Sequence, residues 1–206
     1  MSRSDAHGSD PRGIDPPSAP LLPVIDASSG LSGRDARVAF LVRPATEDDV
    51  SAIVDAYLDS WRGGYDGLLS EVAVEVQAER RRDHDWRGAI LSSGSQVTVA
   101  LSDGRLVGVV QATELLDPPR DLPEITMLYT RREAWGQGIA SALLFDGTSW
   151  LADRGHRSAR LRVVEGQARA RRFYEREGWR VDEQMSAAHN GFFALVYYRR
   201  DDLRMG

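Results

Sequence analysis

The residues whose types and spacing could do chemistry are gathered in Trp135-Gly136-Gln137-Gly138-Ile139-Ala140. Two glycines two apart lead at once into apolar residues at helical spacing: Ile139, Leu143, Leu144, Trp150 and Leu151. The first N–H groups of a helix have no intrahelical partner, and the helix dipole adds positive potential there. A glycine turn into a helix can therefore receive a phosphate on bare backbone. Gly136 and Gly138 let a ligand approach with no Cβ in the way. A plain structural turn has the same local pattern. The dinucleotide fingerprint G-x-G-x-x-G/A is not met, since Ser141 fills its last slot and no ribose-binding acid stands at the expected distance. The nucleotide P-loop is excluded because its Lys is absent.

Residue types exclude other chemistries. All 26 basic residues are Arg, so no lysine Schiff base or lysine acylation is available. The chain has no Cys, which removes thiol nucleophiles, disulfides and Cys-type metal sites. His7, His84, His156 and His189 show no ligand spacing, so no metal is expected. A net charge of -5 argues against a general nucleic-acid or anionic-membrane partner. No apolar run approaches the ~20 residues of a membrane helix. Leu21-Leu22-Pro23-Val24-Ile25 is too short and Pro-broken for a secretory signal, so a cytoplasmic location is expected.

These residues need a frame to position them. Residues 1–37 are rich in Ser, Gly, Pro and Asp and hold five of the nine prolines, which reads as a disordered or surface-draped arm. One domain, 38–206, follows. A strand over 38–43 stops at Pro44; Thr46 caps a helix with Val50, Ile53, Val54 and Tyr57 as its stripe; 60–67 breaks it. A second helix is expected over 70–90. Strands over 96–101 and 106–114 meet at Ser102-Asp103-Gly104-Arg105. After the loop at Asp117-Pro118-Pro119, a strand over 125–130 feeds the glycine turn and its helix. A strand over 158–164, a short helix over 167–177 and a hairpin of 179–185 with 192–199, turning near Asn190-Gly191, complete the chain. The order β-α-α-β-β-β-α-β-α-β-β describes an α/β fold with a mixed sheet and helices on both faces.

That order, with two motifs, resembles the GNAT superfamily of acyl-CoA-dependent N-acyltransferases. The first motif is similar to its acyl-CoA signature [Q/R]-x-x-G-x-[G/A], with Trp135 in the first slot and Gly138 and Ala140 in the others. The second, Gln167-Ala168-Arg169-Ala170-Arg171-Arg172-Phe173-Tyr174 and then Gly178-Trp179, is similar to N-x-x-A-x-x-F-Y-x-x-x-G-F, with Gln167 for the usual Asn. The resemblance covers nearly all of the chain after residue 37.

The resemblance implies acetyl-CoA as cosubstrate and no metal. The pyrophosphate would sit on the N–H groups of Gly136, Gln137, Gly138, Ile139, Ala140 and Ser141. The pantetheine would lie along the main chain of Leu128, Tyr129 and Thr130, with Trp135, Gln167 and Phe173 completing the cofactor site. This requires the strand holding Leu128 to splay from that of residues 161–164, opening the central sheet. The reaction implied is direct attack of a primary amine on the thioester. Tyr174 would protonate the leaving thiolate, and Glu124 would be the base, with Glu114 as the other candidate. Two aromatics beside a carboxylate, Trp61, Tyr65 and Asp66, suit a cationic amine, so these and Glu114 form the expected acceptor site. A small cationic molecule is the favoured acceptor and a protein N-terminus another; a homodimer is left open. A non-catalytic acyl-CoA sensor is the alternative.

Overall fold

The computed structural model describes residues 39–114, 122–183, 185, 188–189 and 194–203. The expected arm, the strand start at Val38, the Asp117-Pro118-Pro119 loop and the Asn190-Gly191 turn lie outside the described residues.

β1 (Phe40–Pro44), β2 (Ser95–Ser102), β3 (Arg105–Thr113) and β4 (Glu124–Thr130) lie side by side and antiparallel. Asp103 and Gly104 take φ of +50° and +75°, the left-handed pair that a two-residue hairpin needs. β5 (Ser158–Val164) joins β4 in parallel, and β8 (Ala194–Asp201) joins β5 antiparallel. The two-residue strands β6 (Arg180–Val181) and β7 (Ala188–His189) both pair with β8. The sheet runs β1-β2-β3-β4-β5-β8-β6. β3 is buried at every position after Arg105, as a central strand covered on both faces must be.

Helices α1 (Val50–Tyr65), α2 (Glu71–Arg82) and α3 (Trp86–Leu91) cover one face. Their core takes in Ile53, Tyr57, Trp61, Trp86, Val99 and Val109. Helices α4 (Ile139–Asp153) and α5 (Ala168–Arg176) cover the other, over Leu143, Leu144, Leu151, Leu161, Tyr174 and Tyr198. α4 lies so close on β3 that a Cβ at Gly108 would stand 2.8 Å from Leu143 Cδ1.

Three expectations are corrected. The helix over 70–90 is two helices, because the Asp85 side chain accepts from Gly88 N (2.8 Å) and caps a fresh start at Trp86. The break over 60–67 falls later: α1 continues through Gly63 and Gly64 to Tyr65. Two helical glycines cost about 1 kcal/mol each, which burial of Trp61 and Tyr65 outweighs. The strand over 179–185 shrinks to Arg180–Val181, both exposed, so no apolar alternation anchors a longer ladder.

The feature that positions the site lies at the centre of the sheet. β4 and β5 pair only at Glu124↔Arg160 and Ile125↔Leu161. Beyond Ile125 they part, while β5 stays paired with β8 to Val164. The expected splay is present as a fork, closed at Glu124 and open toward Thr130. A bulge marks its root. Gln111 faces Met127 and Ala112 faces Ile125, so Thr126 has no opposite number on β3. The extra residue shifts the side-chain phase: Ile125 and Leu128 both pack toward α4, while Met127 and Tyr129 pack toward α1.

Candidate active site

At the open end of the fork, a single 3₁₀ turn at Arg132–Ala134 carries the chain from β4 into the glycine turn. Gly136 and Gly138 take φ of +77° and +82°, where a side chain would be strained. Gly138 is the N-cap of α4. The N–H groups of Gly136, Gln137, Gly138, Ile139, Ala140 and Ser141 have no backbone partner among the described residues. Six successive backbone donors, with positive φ at two of them, make a cradle-like turn whose chemistry suits an anion. The Ile139 side chain is wholly buried and the Ser141 hydroxyl donates to Glu177 Oε1 (2.7 Å), so these two residues offer the site only their N–H groups.

Trp135 stands beside the cradle in the slot where the resemblance implies Gln or Arg. Its indole donates to the Thr130 carbonyl (3.1 Å), and Arg169 lies over its ring at 3.3 Å from the centroid, with Arg132 at 5.6 Å. Arg169 has no carboxylate partner among the described residues, and burial lowers its pKa, helped by Arg132 and Arg176. The indole thus presents guanidinium groups at the mouth where a Gln or Arg would have presented its own donors. Gln167 reaches across the fork from the N-cap of α5 to the Gly64 carbonyl (3.4 Å), tying α5 to the last turn of α1. Phe173 is half-buried against the α4 core and meets Tyr174 edge to face at 5.2 Å.

Tyr174 is buried on α5, and its hydroxyl has no hydrogen-bond partner among the described residues. Burial, helped by Tyr65, raises its pKa well above the ordinary 10.0, so the phenol is a proton donor through the whole physiological range. It is one of a group of phenols. Tyr129 stands on β4 within the fork, and its ring meets that of Tyr57 edge to face at 4.7 Å. Tyr65 stacks on Trp61 at 4.4 Å, and burial pushes its phenol up to about 12.

The other expected residues fall in three places. Glu124 is not an open strand end; it is 4% exposed at the closed end of the fork, 3.1 Å from Arg162 and 3.5 Å from Arg160. Glu114 is half-buried beyond β3, 2.6 Å from His156 and 3.2 Å from Arg154, just past the end of α4. Those partners hold it on the α4 side, away from Trp61 and Tyr65. Trp61 lies inside α1 and is fully buried, with the Arg81 guanidinium 4.5 Å from its ring centroid. Asp66 is exposed, 3.8 Å from Arg132, on the rim near the cradle. Leu128, Tyr129, Tyr65 and Tyr174 are brought to the fork; Glu114 is not, and Trp61 serves it from behind Tyr65.

Sequence reasoning placed Tyr57 only in the buried stripe of its helix and did not single out Arg81. Tyr57, Trp61 and Tyr65 recur every fourth residue, one aromatic stripe that the expected break at 60–67 hid. No local signal marks Arg81, which meets Trp61 only through the packing of α2 on α1. Among the described residues, no His, Asp and Glu group is placed to hold a metal, and no helix is long and apolar enough to cross a membrane.

Comparison with known proteins agrees with this geometry. Residues 51–179 match the model of the Acetyltransferase (GNAT) family. An uncharacterized N-acetyltransferase of Archaeoglobus fulgidus is 29% identical over 146 residues, 69% of this chain and 94% of the relative. A spermidine N(1)-acetyltransferase of Thermoplasma acidophilum is 22% identical over 147 residues, 69% of this chain and 89% of the relative. The crystal structure of the PaiA N-acetyltransferase from Thermoplasma acidophilum, in complex with coenzyme A, superposes with a TM-score of 0.68 at 18% identity. It covers 79% of this chain and 99% of that one. A forked sheet opening onto a glycine-led helix, in a chain whose family match spans both, places the protein in the GNAT family as an acetyl-CoA-dependent N-acetyltransferase.

Proposed function

We propose that the chain transfers the acetyl group of acetyl-CoA to the primary amine of a small molecule by direct attack on the thioester. The observation that carries this reading is the fork: six N–H groups with no backbone partner among the described residues stand at its mouth and lead into a parting of β4 and β5. The N–H groups of residues 136–141 would hold the pyrophosphate, with Arg169 and Arg132 adding positive charge beside them. The free edge of β4 at Leu128 and Tyr129 would receive the pantetheine amides as an added strand, and an N–H there would hold the thioester oxygen. Acetyl-CoA supplies the activated acyl group. Tyr174 holds a proton on its phenol oxygen for the departing sulfur. Glu124, with both oxygens turned to guanidinium groups, acts by holding Arg162 in the fork and not as an open base.

The acceptor would enter on the α1 side, past Tyr57, Tyr65 and Tyr129. The chain's net acidity favours a cationic amine, and a spermidine acetyltransferase is among its relatives. Local charge points the other way, because a guanidinium and not a carboxylate lies over Trp61, whose ring stacks on Tyr65.

Thiol release from acetyl-CoA with a panel of amines, beside calorimetry with coenzyme A, tests the reading. Binding together with amine-dependent release is expected. Binding without release from any amine would favour an acyl-CoA sensor, and no binding would overturn the reading.

A further inference from the structure

Four acids around the fork are each committed to a guanidinium. Glu124 faces Arg160 and Arg162; Asp59 lies 2.8 Å from Arg131, Glu75 2.8 Å from Arg62, and Asp66 3.8 Å from Arg132. At Glu124 two guanidiniums share one carboxylate, leaving positive charge in excess. Arg160 and Arg162 stand on the α1 side of β5, since Leu161 and Val163 fill the α4 side.

Arg81, on the α1 side, has no acid partner among the described residues. It is half-buried in the last turn of α2, with its guanidinium over Trp61. Its Nη1 donates to the Gln77 carbonyl (3.0 Å) and to Gln77 Oε1 (3.1 Å), both neutral. No carboxylate lies within ion-pair distance of it among the described residues. Trp61, under that guanidinium, stacks on Tyr65 at 4.4 Å, and Tyr57, one turn earlier on α1, meets Tyr129 at 4.7 Å, so Arg81 belongs to the aromatic group that borders the fork on its α1 side.

A half-buried guanidinium with only neutral partners is a site that an anion completes, and its planar fork fits a carboxylate. A polyamine would meet a ring face already covered by Arg81 and would add charge of the same sign. Accepting the transfer reading above, we infer that the acceptor is a small primary amine that also carries a carboxylate, an amino-acid-type molecule, with Arg81 gripping the carboxylate.

The test is a set of matched pairs that differ by that group: ornithine and putrescine, arginine and agmatine, tyrosine and tyramine, with spermidine added. Thiol release by the full chain is measured with each. In at least one pair the carboxylated member should have a kcat/KM higher by roughly tenfold or more. Arg81→Met should collapse that ratio toward one, with the loss in the acceptor's KM. A wild-type preference for the decarboxylated members or for spermidine overturns the inference, as does an Arg81→Met variant that harms both members of a pair alike. Should that variant not fold, the wild-type pairs decide. Should coenzyme A bind but no amine be acetylated, transfer itself fails. Calorimetry of each pair into the protein–coenzyme A complex then reads the carboxylate preference alone, and equal or absent binding overturns it.

Discussion

Tyr174 carries the sharpest expectation at the scale of single residues. Its phenol is buried, lacks a partner among the described residues and has its pKa raised, so it keeps its proton well above neutral pH. A proton donor placed for the leaving sulfur contributes to kcat and little to cofactor binding. Tyr174→Phe keeps the ring and its contact with Phe173 while removing the proton. It should lower kcat by about a hundredfold or more, leaving the coenzyme A dissociation constant within about twofold. A kcat within about threefold of wild type would remove Tyr174 from the chemistry and leave it a packing residue. With the phenol raised in this way, kcat should also show no loss from Tyr174 ionisation as pH rises to ~10, which a pH series on the wild type reads directly. Glu124 shows the converse case. The resemblance implies a base at this place, and only its neighbours show it set between two arginines.

What was legible in the sequence lies mostly within single elements and their joins. The glycine turn, the Asp103-Gly104 hairpin and the Thr46 cap, which starts a 3₁₀ turn at Glu47–Asp49 leading into α1 and not α1 itself, are written in turn chemistry, which acts over three or four residues. The junction of β1 and α1 shows this well. Asp49 Oδ2 accepts from Thr46 N (2.8 Å), and the Asp49 carboxylate is gripped by both Arg43 Nη1 (2.7 Å) and Arg43 Nη2 (2.8 Å). Arg43, first, and Thr46 hold the Asp49 pKa down, from 3.8 to about 2. A depressed carboxylate adds stability that is complete above its unfolded pKa and is lost as pH falls through the folded one. After allowance for solvent screening of the partly exposed Arg43, that stability is on the order of 1–2 kcal/mol. Asp49→Asn should therefore be less stable than wild type by this amount at pH 7 in urea titrations, and the gap should close between pH 4 and 2. A gap that stays open at pH 2 would mean that shape, and not charge, joins these elements. On the α1 side Trp61 and Tyr65 were legible by type, but their partners were not, because those contacts span the chain: Trp61 meets Arg81, Asp59 meets Arg131, and Gly64 meets Gln167. No local pattern records such meetings, and the glycines at 63 and 64 read as a break where burial keeps a helix.

Across the whole molecule the fork is affordable only because both faces of the sheet are covered. Parting two central strands leaves main-chain groups without ladder partners, a cost that helices on each side must offset by burying apolar surface. Both cores are drawn from one span of chain. The α4 side reaches from Phe40 to Leu203 and the α1 side from Ala45 to Tyr197. A domain of that length buries enough surface to fold alone. We therefore propose the division made on composition, an arm of residues 1–37 and a domain of 38–206, as a thermodynamic one also. Removing residues 1–37 should leave the calorimetric Tm within about 2 °C of the full chain, since a larger shift corresponds to roughly 1 kcal/mol or more of lost packing in a domain of this size. Coenzyme A affinity should be equally unaffected, because the cradle at 136–141 and the edge of β4 are built within the domain. A Tm lowered by 5 °C or more would show instead that the arm packs on the domain as part of the fold. Unchanged Tm with weakened coenzyme A binding would place the arm at the mouth of the fork, where the guanidiniums of Arg132 and Arg169 stand over Trp135.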